Sequence, residues 1–108
     1  METRFTEISF EEAKKILDNE KDCIILDVRE ESEFIQGHAD GAELFPVDSI
    51  NEESAEEIIG SKDTPVMTYC RTGSRSCLAA QRLCELGYKH VYSIGSLVGW
   101  PYGIVGGW

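Results

Sequence analysis

The feature that most constrains the fold is the regular alternation of short apolar runs with helical patterns. Residues 23–28, 65–69 and 90–94 are mostly apolar runs of the kind found in strands that are buried on both faces of a sheet. Weaker strand patterns cover residues 5–8 and 42–47, and the proline in the second of these ends the strand or moves it to an edge. Since helical patterns separate the runs, the sequence predicts an α/β fold with a mostly parallel five-stranded sheet flanked by helices on both faces.

The helical segments carry their own start and stop signals. Ser9 is followed three residues later by Glu12, which is the capping-box pattern, and an apolar stripe with helical spacing comes after it. Three further segments have helical patterns and a glycine just past their last residue: 30–36, 51–59 and 74–86. A short helical turn is expected over residues 96–100.

The charge balance narrows the classes of function. Lysine and arginine total 10 against 20 aspartates and glutamates, which gives a net charge of −10. Nucleic acids and anionic membrane surfaces attract basic proteins, so we expect neither as a partner. The negative charge keeps the protein soluble, or, as the alternative, it forms an acidic face that binds a basic protein partner.

Chain length and cysteine content indicate the number of domains and the redox state of the cysteines. A chain of 108 residues predicts a single domain over residues 1–108. The polar first residues give no secretory signal, and the run over residues 91–108 is too rich in glycine for a membrane helix, so we expect a cytoplasmic protein. The cysteines are therefore expected to be reduced, and no two of them lie at zinc-ligand spacing: Cys23, Cys70, Cys77 and Cys84.

One of these cysteines stands where a strand stops. The run over residues 65–69 leads into Cys70, which is followed by Arg-Thr-Gly-Ser-Arg-Ser and by the helix predicted from residue 74. If Gly73 lets this loop curl round the sulfur, backbone N–H groups point inward as an anion-binding nest, and the helix adds the positive end of its dipole. These donors and the two arginines favour a thiolate, which is a nucleophile at neutral pH.

Cys70 is therefore the candidate catalytic residue. The residues after it are the candidate substrate-binding set, because their amides and guanidinium groups face an anion bound to the sulfur: Arg71, Thr72, Gly73, Ser74, Arg75 and Ser76. Asp27 and Arg29 follow another buried strand, so they lie at the same edge of the sheet. We expect these two to pair with each other or to brace the cysteine loop, and contact with the substrate is the alternative.

Three stretches together resemble the rhodanese-like sulfurtransferases. Residues 70–76 are similar to the family's pattern Cys-Arg-x-Gly-x-Arg followed by a small residue. Residues 26–42 resemble its aspartate-valine-arginine strand end, followed by a glutamate, a spacer and a glycine-histidine segment, although Ala39-Asp40 replaces the usual bulky aliphatic residue and proline. Residues 95–100 resemble its glycine-rich turn ending in tryptophan.

The resemblance implies a reaction. The Cys70 thiolate attacks the outer sulfur of a donor such as thiosulfate, becomes a persulfide, and passes its terminal sulfur to cyanide, a thiol or a partner protein. No metal and no organic cofactor is implied. Because a chain at −10 repels a dianion, we expect weak, salt-dependent affinity for thiosulfate, and a physiological donor that is another protein's persulfide or a neutral species.

Several side chains have alternative roles. His38 is either a base for Cys70 or a structural residue, and the resemblance implies the structural role. Cys77 and Cys84 lie seven residues apart on one predicted helix. Core packing is the main expectation for both, and a resolving thiol at Cys77 is the alternative. Cys23 heads a buried strand and is expected to be inert.

The aromatic residues of the C-terminal segment are expected to cover the sheet: Trp100, Tyr102 and Trp108. An exposed docking patch is the alternative, since exposed apolar patches mark interfaces. Such a patch would serve a protein partner, and the sequence leaves the oligomeric state open.

Two rival functions remain open on the sequence alone. A cysteine-dependent phosphatase or arsenate reductase needs an arginine six positions after the cysteine, where this chain has Ser76, and the arginine comes one step earlier, at Arg75. The shorter loop suits a single sulfur better than a tetrahedral oxyanion. The second rival is a rhodanese-like module that only binds or regulates a partner. Inactive members of the family tend to lose the cysteine, which is present here.

Overall fold

Strands and helices alternate along residues 4–106, the part of the chain that the computed structural model describes. The strands, in chain order, are β1 (Thr6–Glu7), β2 (Ile24–Asp27), β3 (His38–Ala39), β4 (Glu43–Leu44), β5 (Val66–Cys70), β6 (Val91–Ser96) and β7 (Ile104–Val105). The helices are α1 (Phe10–Asn19), α2 (Glu31–Gln36), α3 (Glu52–Ile58) and α4 (Ser74–Glu85), with a 3₁₀ turn over Val47–Ser49. No helix in this part of the chain is long and apolar enough to cross a membrane.

The main sheet has five parallel strands in the order β1-β6-β5-β2-β4. In parallel strands all carboxyl ends meet at one edge, so the end of β2 lies beside the end of β5, with Asp27 opposite Tyr69. The pairing of β5 with β6 shifts register between Thr68 and Tyr69, which places Cys70 opposite Ser96. The predicted α/β fold with a parallel five-stranded sheet is confirmed.

Alternating side chains divide the core between the two faces of this sheet. On β5, Val66 and Cys70 belong to an apolar cluster that includes residues of α3 and α4. Met67 and Tyr69, which point to the other face, belong to a cluster with α1. Helices therefore cover both faces, as the sequence predicts.

The predicted start of α1 is confirmed in atomic detail. The Ser9 hydroxyl accepts a hydrogen bond from the Glu12 N–H at 3.1 Å, and the Glu12 carboxylate accepts one from the Ser9 N–H at 2.9 Å. Helix α4 begins differently, because its N-cap is Gly73 with φ of 102°. A side chain at this position would be strained, so only glycine gives the turn from Cys70 into α4 without cost.

Three features differ from the sequence prediction. Strands β3 and β7 form a small antiparallel sheet, with His38 opposite Val105, which the sequence did not predict. The strand predicted over residues 42–47 contains only the two residues of β4. The helical turn predicted over residues 96–100 is wrong, because β6 runs to Ser96 and a tight turn follows, with the Trp100 N–H donating to the Leu97 carbonyl at 2.9 Å.

Two leucines on opposite faces of α4, one buried and one exposed, allow a matched test of which face packs against the core. Leu83 is fully buried, whereas Leu78 on the same helix is 46% exposed. We expect Leu83→Ala to lower the free energy of unfolding by about 2–5 kcal/mol. Leu78→Ala should change it by about 0.5 kcal/mol or less. Equal losses in urea denaturation would contradict the assignment of these two faces.

Candidate active site

The sulfur of Cys70 lies against the turn that starts α4. It accepts hydrogen bonds from the backbone N–H of Gly73 at 2.9 Å and from that of Ser76 at 3.4 Å. These two donors give the predicted nest its geometry, and the positive end of α4 points the same way. Cys70 itself is fully buried.

Buried hydroxyl groups on two strands hold this turn in place. The Ser76 hydroxyl donates to the Gly73 carbonyl at 2.8 Å, and its oxygen lies 3.1 Å from the Ser93 hydroxyl, which therefore acts as the donor to Ser76. The Thr68 hydroxyl donates to the Ser76 carbonyl at 2.8 Å. The sequence analysis does not identify Thr68 and Ser93 as supporting residues. The signal that could have indicated them is a hydroxyl side chain within an otherwise apolar strand.

Arg75 is engaged by a carboxylate from α2. Its guanidinium donates to both oxygens of Glu33, at 2.6 Å and 3.0 Å. This hydrogen-bonded pair lowers the pKa of Glu33 to about 2 and raises the pKa of Arg75. The sequence predicts that Arg75 binds substrate, but the structure shows a guanidinium already occupied by Glu33. Its direct effect is to fasten the start of α4 to α2.

The predicted pairing of Asp27 with Arg29 is confirmed. One carboxylate oxygen accepts from Arg29 Nε at 2.9 Å and from the Arg29 backbone N–H at 3.0 Å, and the other accepts from Nη2 at 2.6 Å. Asp27 is fully buried, and its hydrogen bonds raise the pKa of Arg29. Arg29 Nη2 also donates to the Gly37 carbonyl at 2.6 Å. The pair therefore ties the end of β2 to the segment after α2.

Tyr69 completes this network and was not singled out in the sequence. Its buried hydroxyl donates to Asp27 at 2.7 Å and accepts from the backbone N–H of Ala39 at 3.0 Å. Burial, together with the hydrogen bond to Asp27, raises the pKa of Tyr69, so the phenol is neutral at physiological pH. The central strand is thereby fastened to β3 beside the site.

A cavity of about 300 Å³ opens at this edge of the sheet. Charged and apolar residues both line it, among them Arg29, Glu33, Arg71, Gly37, Leu97 and Val98. The cavity lies close to the backbone of the cysteine loop, since its lining residue Arg71 follows Cys70 in the chain and the N–H of its lining residue Leu97 donates to the Cys70 carbonyl at 2.9 Å. Arg71 is exposed, as are Thr72 and Ser74.

The other candidates lie in structural settings. The His38 ring stacks on Phe34 at 3.7 Å between centroids, and its Nδ1 lies 2.8 Å from the Phe34 carbonyl oxygen. This arrangement supports the structural role. Cys77 is half-buried, with its sulfur 3.7 Å from a Glu7 carboxylate oxygen and 3.8 Å from the Ser93 hydroxyl. A resolving role for Cys77 stays a prediction.

The two remaining cysteines have raised pKa values. Burial raises the pKa of Cys23 to about 12 and also raises the pKa of Cys84, so both thiols stay protonated at neutral pH. Within residues 4–106, no group of three or more metal-binding side chains is placed to hold a metal ion.

The aromatic segment covers one face of the sheet as far as it is described. Trp100 is buried and makes edge contacts with Phe10 at 5.3 Å and with Tyr102 at 5.0 Å between centroids. The expected cover is confirmed for these two residues of the segment. Trp108 lies outside the described residues.

The contribution of the Glu33–Arg75 pair to the stability of the fold should depend on pH. A carboxylate whose pKa is lowered on folding stabilises the fold above its unfolded value of 4.5, and this contribution disappears as the pH falls towards about 2. We expect Glu33→Gln to lower the free energy of unfolding at pH 7. The difference from wild type should shrink below pH 4.5 and vanish near pH 2. A difference that does not change with pH in urea titrations would refute this role.

Comparison with known proteins identifies the family to which the chain belongs. The sequence profile of the family described as rhodanese-like domain matches residues 9–101. Thiosulfate sulfurtransferase GlpE of Tolumonas auensis is 34% identical over 101 residues, which cover 93% of this chain and 92% of that protein. The solved structure of a rhodanese with anions from E. coli superimposes with a TM-score of 0.73 at 30% identity, over 79% of this chain and 99% of that chain.

Relatives with another name match as well. The tRNA uridine(34) hydroxylase of Protochlamydia amoebophila is 40% identical over 88 residues, which cover 77% of this chain and 28% of that protein. The chain thus spans about a quarter of the length of the tRNA uridine(34) hydroxylases it matches. The family profile, by contrast, extends over most of the chain. The chain therefore belongs to the rhodanese-like domain family.

Proposed function

We propose that residues 1–108 form one cytoplasmic rhodanese-like domain that moves a sulfane sulfur from thiosulfate or a persulfide to a thiophilic acceptor, through a persulfide on Cys70. The acceptor is cyanide, a thiol or a protein partner. The observation that carries the proposal is a buried sulfur that accepts hydrogen bonds from the N–H groups of Gly73 and Ser76. The thiosulfate sulfurtransferases among the relatives support the same chemistry.

The reaction is an exchange at sulfur. The Cys70 thiolate bonds to the outer sulfur of thiosulfate, the bond between the two donor sulfurs breaks, and sulfite leaves with the electron pair. The outer sulfur then forms the end of a Cys70 persulfide. Amide donors within the loop stabilise the charge on sulfur without adding a proton that would quench it. A thiophilic acceptor attacks the terminal sulfur and returns Cys70 to its thiolate.

The described geometry weighs against the phosphatase alternative. A phosphatase loop grips the oxyanion with a free arginine, but Arg75 is held by both oxygens of Glu33. Cys70 is fully buried, which favours contact with one slender sulfur over contact with a tetrahedral oxyanion. A module that only binds a partner has no need of a cysteine with two aligned amide donors.

The hydroxylase relatives do not favour a second candidate. The activity in their name belongs to whole proteins of which this chain spans about a quarter. With a net charge of −10, we also propose no direct contact with nucleic acid or membrane. The proposed partners are a small sulfur donor and acceptor, or a protein that carries the persulfide or thiol.

Loading of a single sulfur tests the proposal. Intact-mass spectrometry after thiosulfate treatment should show that the wild-type chain gains the mass of one sulfur atom, and that Cys70→Ser gains none. Cys77→Ser is the matched control, because it removes a thiol from the first turns of α4 and leaves Cys70 in place. This variant should gain one sulfur atom, as the wild type does. An unchanged wild-type mass, or sulfur retained by Cys70→Ser, would contradict the assignment.

A further inference from the structure

The last strand of the chain packs against the segment that follows α2. Strand β7 pairs with β3 in antiparallel register. The backbone N–H of Asp40 then donates to the Gly103 carbonyl at 3.0 Å. Residues 103–106 therefore form a strap that lies alongside residues 37–40. This strap lies beyond residues 9–101, the part of the chain that matches the family profile.

The end of the strap lies so close to the segment that it has no room for a side chain. A Cβ atom at Gly106 would lie 2.9 Å from the Ile35 carbonyl oxygen and 3.5 Å from the Cα of Gly37. The first distance is well inside van der Waals contact, so backbone packs directly on backbone here. The Ile104 side chain adds a second contact, since a Cβ atom at Gly37 would lie 3.4 Å from its Cγ2.

Gly37 connects the strap to the candidate active site. It lines the cavity at the carboxyl edge of the sheet, together with Arg29. Its carbonyl accepts a hydrogen bond from Arg29 Nη2 at 2.6 Å, and the same guanidinium is paired with Asp27. A displacement of Gly37 therefore moves one wall of the cavity and removes one of the contacts that orient the Arg29 guanidinium.

The strap can bind at Asp40 because of the turn in which this residue lies. The Ala42 N–H donates to the Ala39 carbonyl at 2.9 Å, and Gly41 has φ of 86°. Within residues 4–106 only glycines have a positive φ, so this is a type II turn with Asp40 as the second of its four residues. Proline favours that position and is usual in the resembled family, but proline has no N–H to donate. The aspartate supplies the donor that the strap binds.

We propose that the strap is a positioning element for the sulfur donor, because it holds Gly37 and, through Gly37, orients Arg29 at the cavity where the donor binds. The inference rests on the proposed sulfur transfer through Cys70 and assigns the donor to this cavity. Asp40 acts as a positioning residue through its backbone N–H. The amide donors to the Cys70 sulfur belong to the turn before α4, so the strap affects KM for the donor and leaves kcat unchanged.

Asp40→Pro and Asp40→Ala form the first matched pair. Both variants remove the carboxylate, but only proline removes the N–H. Proline suits the turn and the extended residue before it, so the fold is retained. In kinetics of the full chain with cyanide as acceptor, KM for thiosulfate should be about fivefold higher for Asp40→Pro than for Asp40→Ala, with equal kcat. Equal KM values for the two variants would overturn the inference.

Gly106→Ala and Gly87→Ala test the packing of the strap. Both glycines have a positive φ, 94° and 101°, so alanine is similarly strained at either position. Only at Gly106 does the added Cβ meet another segment, since a Cβ at Gly87 has nothing within 4 Å. Gly106→Ala should raise KM for thiosulfate about fivefold or more, and Gly87→Ala should leave it unchanged. The same rise in both variants would attribute the effect to strain alone and overturn the inference.

The NMR resonance of the Arg29 Nε–H reports the guanidinium position independently of catalysis. It should shift in Gly106→Ala, and in Asp40→Pro relative to Asp40→Ala, but not in Gly87→Ala. A shift without a change in KM means that the donor does not bind at this wall, which overturns the inference while sulfur transfer through Cys70 stands. If the wild type transfers no sulfur above the background of Cys70→Ser, the proposed function itself is wrong.

Discussion

Two backbone N–H groups that turn towards a buried sulfur are the contacts on which the rest of this site depends. An anion removed from water is costly unless donors replace its hydration, and Gly73 and Ser76 supply them at 2.9 Å and 3.4 Å. The loop reaches the sulfur because Gly73 has a positive φ and because Cys70 ends the central strand of the sheet. Helix α4 starts at the same point, so its dipole adds to the field of the two amides.

Two of the arginines near this sulfur are each neutralised by a carboxylate. Asp27 compensates Arg29, and Glu33 compensates Arg75, so the ion pairs fasten α2 and β2 around the loop while adding little net charge. Arg71 is left to face the cavity. Two neutral peptide groups therefore contact the sulfur, and Arg71 adds a cation to the lining of the cavity.

Most of the fold and the position of the nucleophile followed from local patterns in the sequence. Strands buried on both faces are continuous apolar runs, and the capping box of α1 involves residues three positions apart. The Glu33–Arg75 pair could not be predicted in this way, because 42 residues separate its members and either side chain has many alternative partners. Two-residue strands such as β3 and β7 show no periodicity. The sequence predicts a helical turn after β6, but in the structure Gly99 has a positive φ, which a right-handed helix does not allow.

The most direct test of the central claim is the backbone amide NMR spectrum of the full chain before and after Cys70 has been loaded with sulfur. If peptide donors hold the sulfur, the Gly73 and Ser76 N–H resonances should show the largest shifts. The resonance of Gly60, a glycine with positive φ just beyond α3, should stay in place. A spectrum in which Gly73 and Ser76 do not move, although mass spectrometry shows a loaded Cys70, would contradict the account.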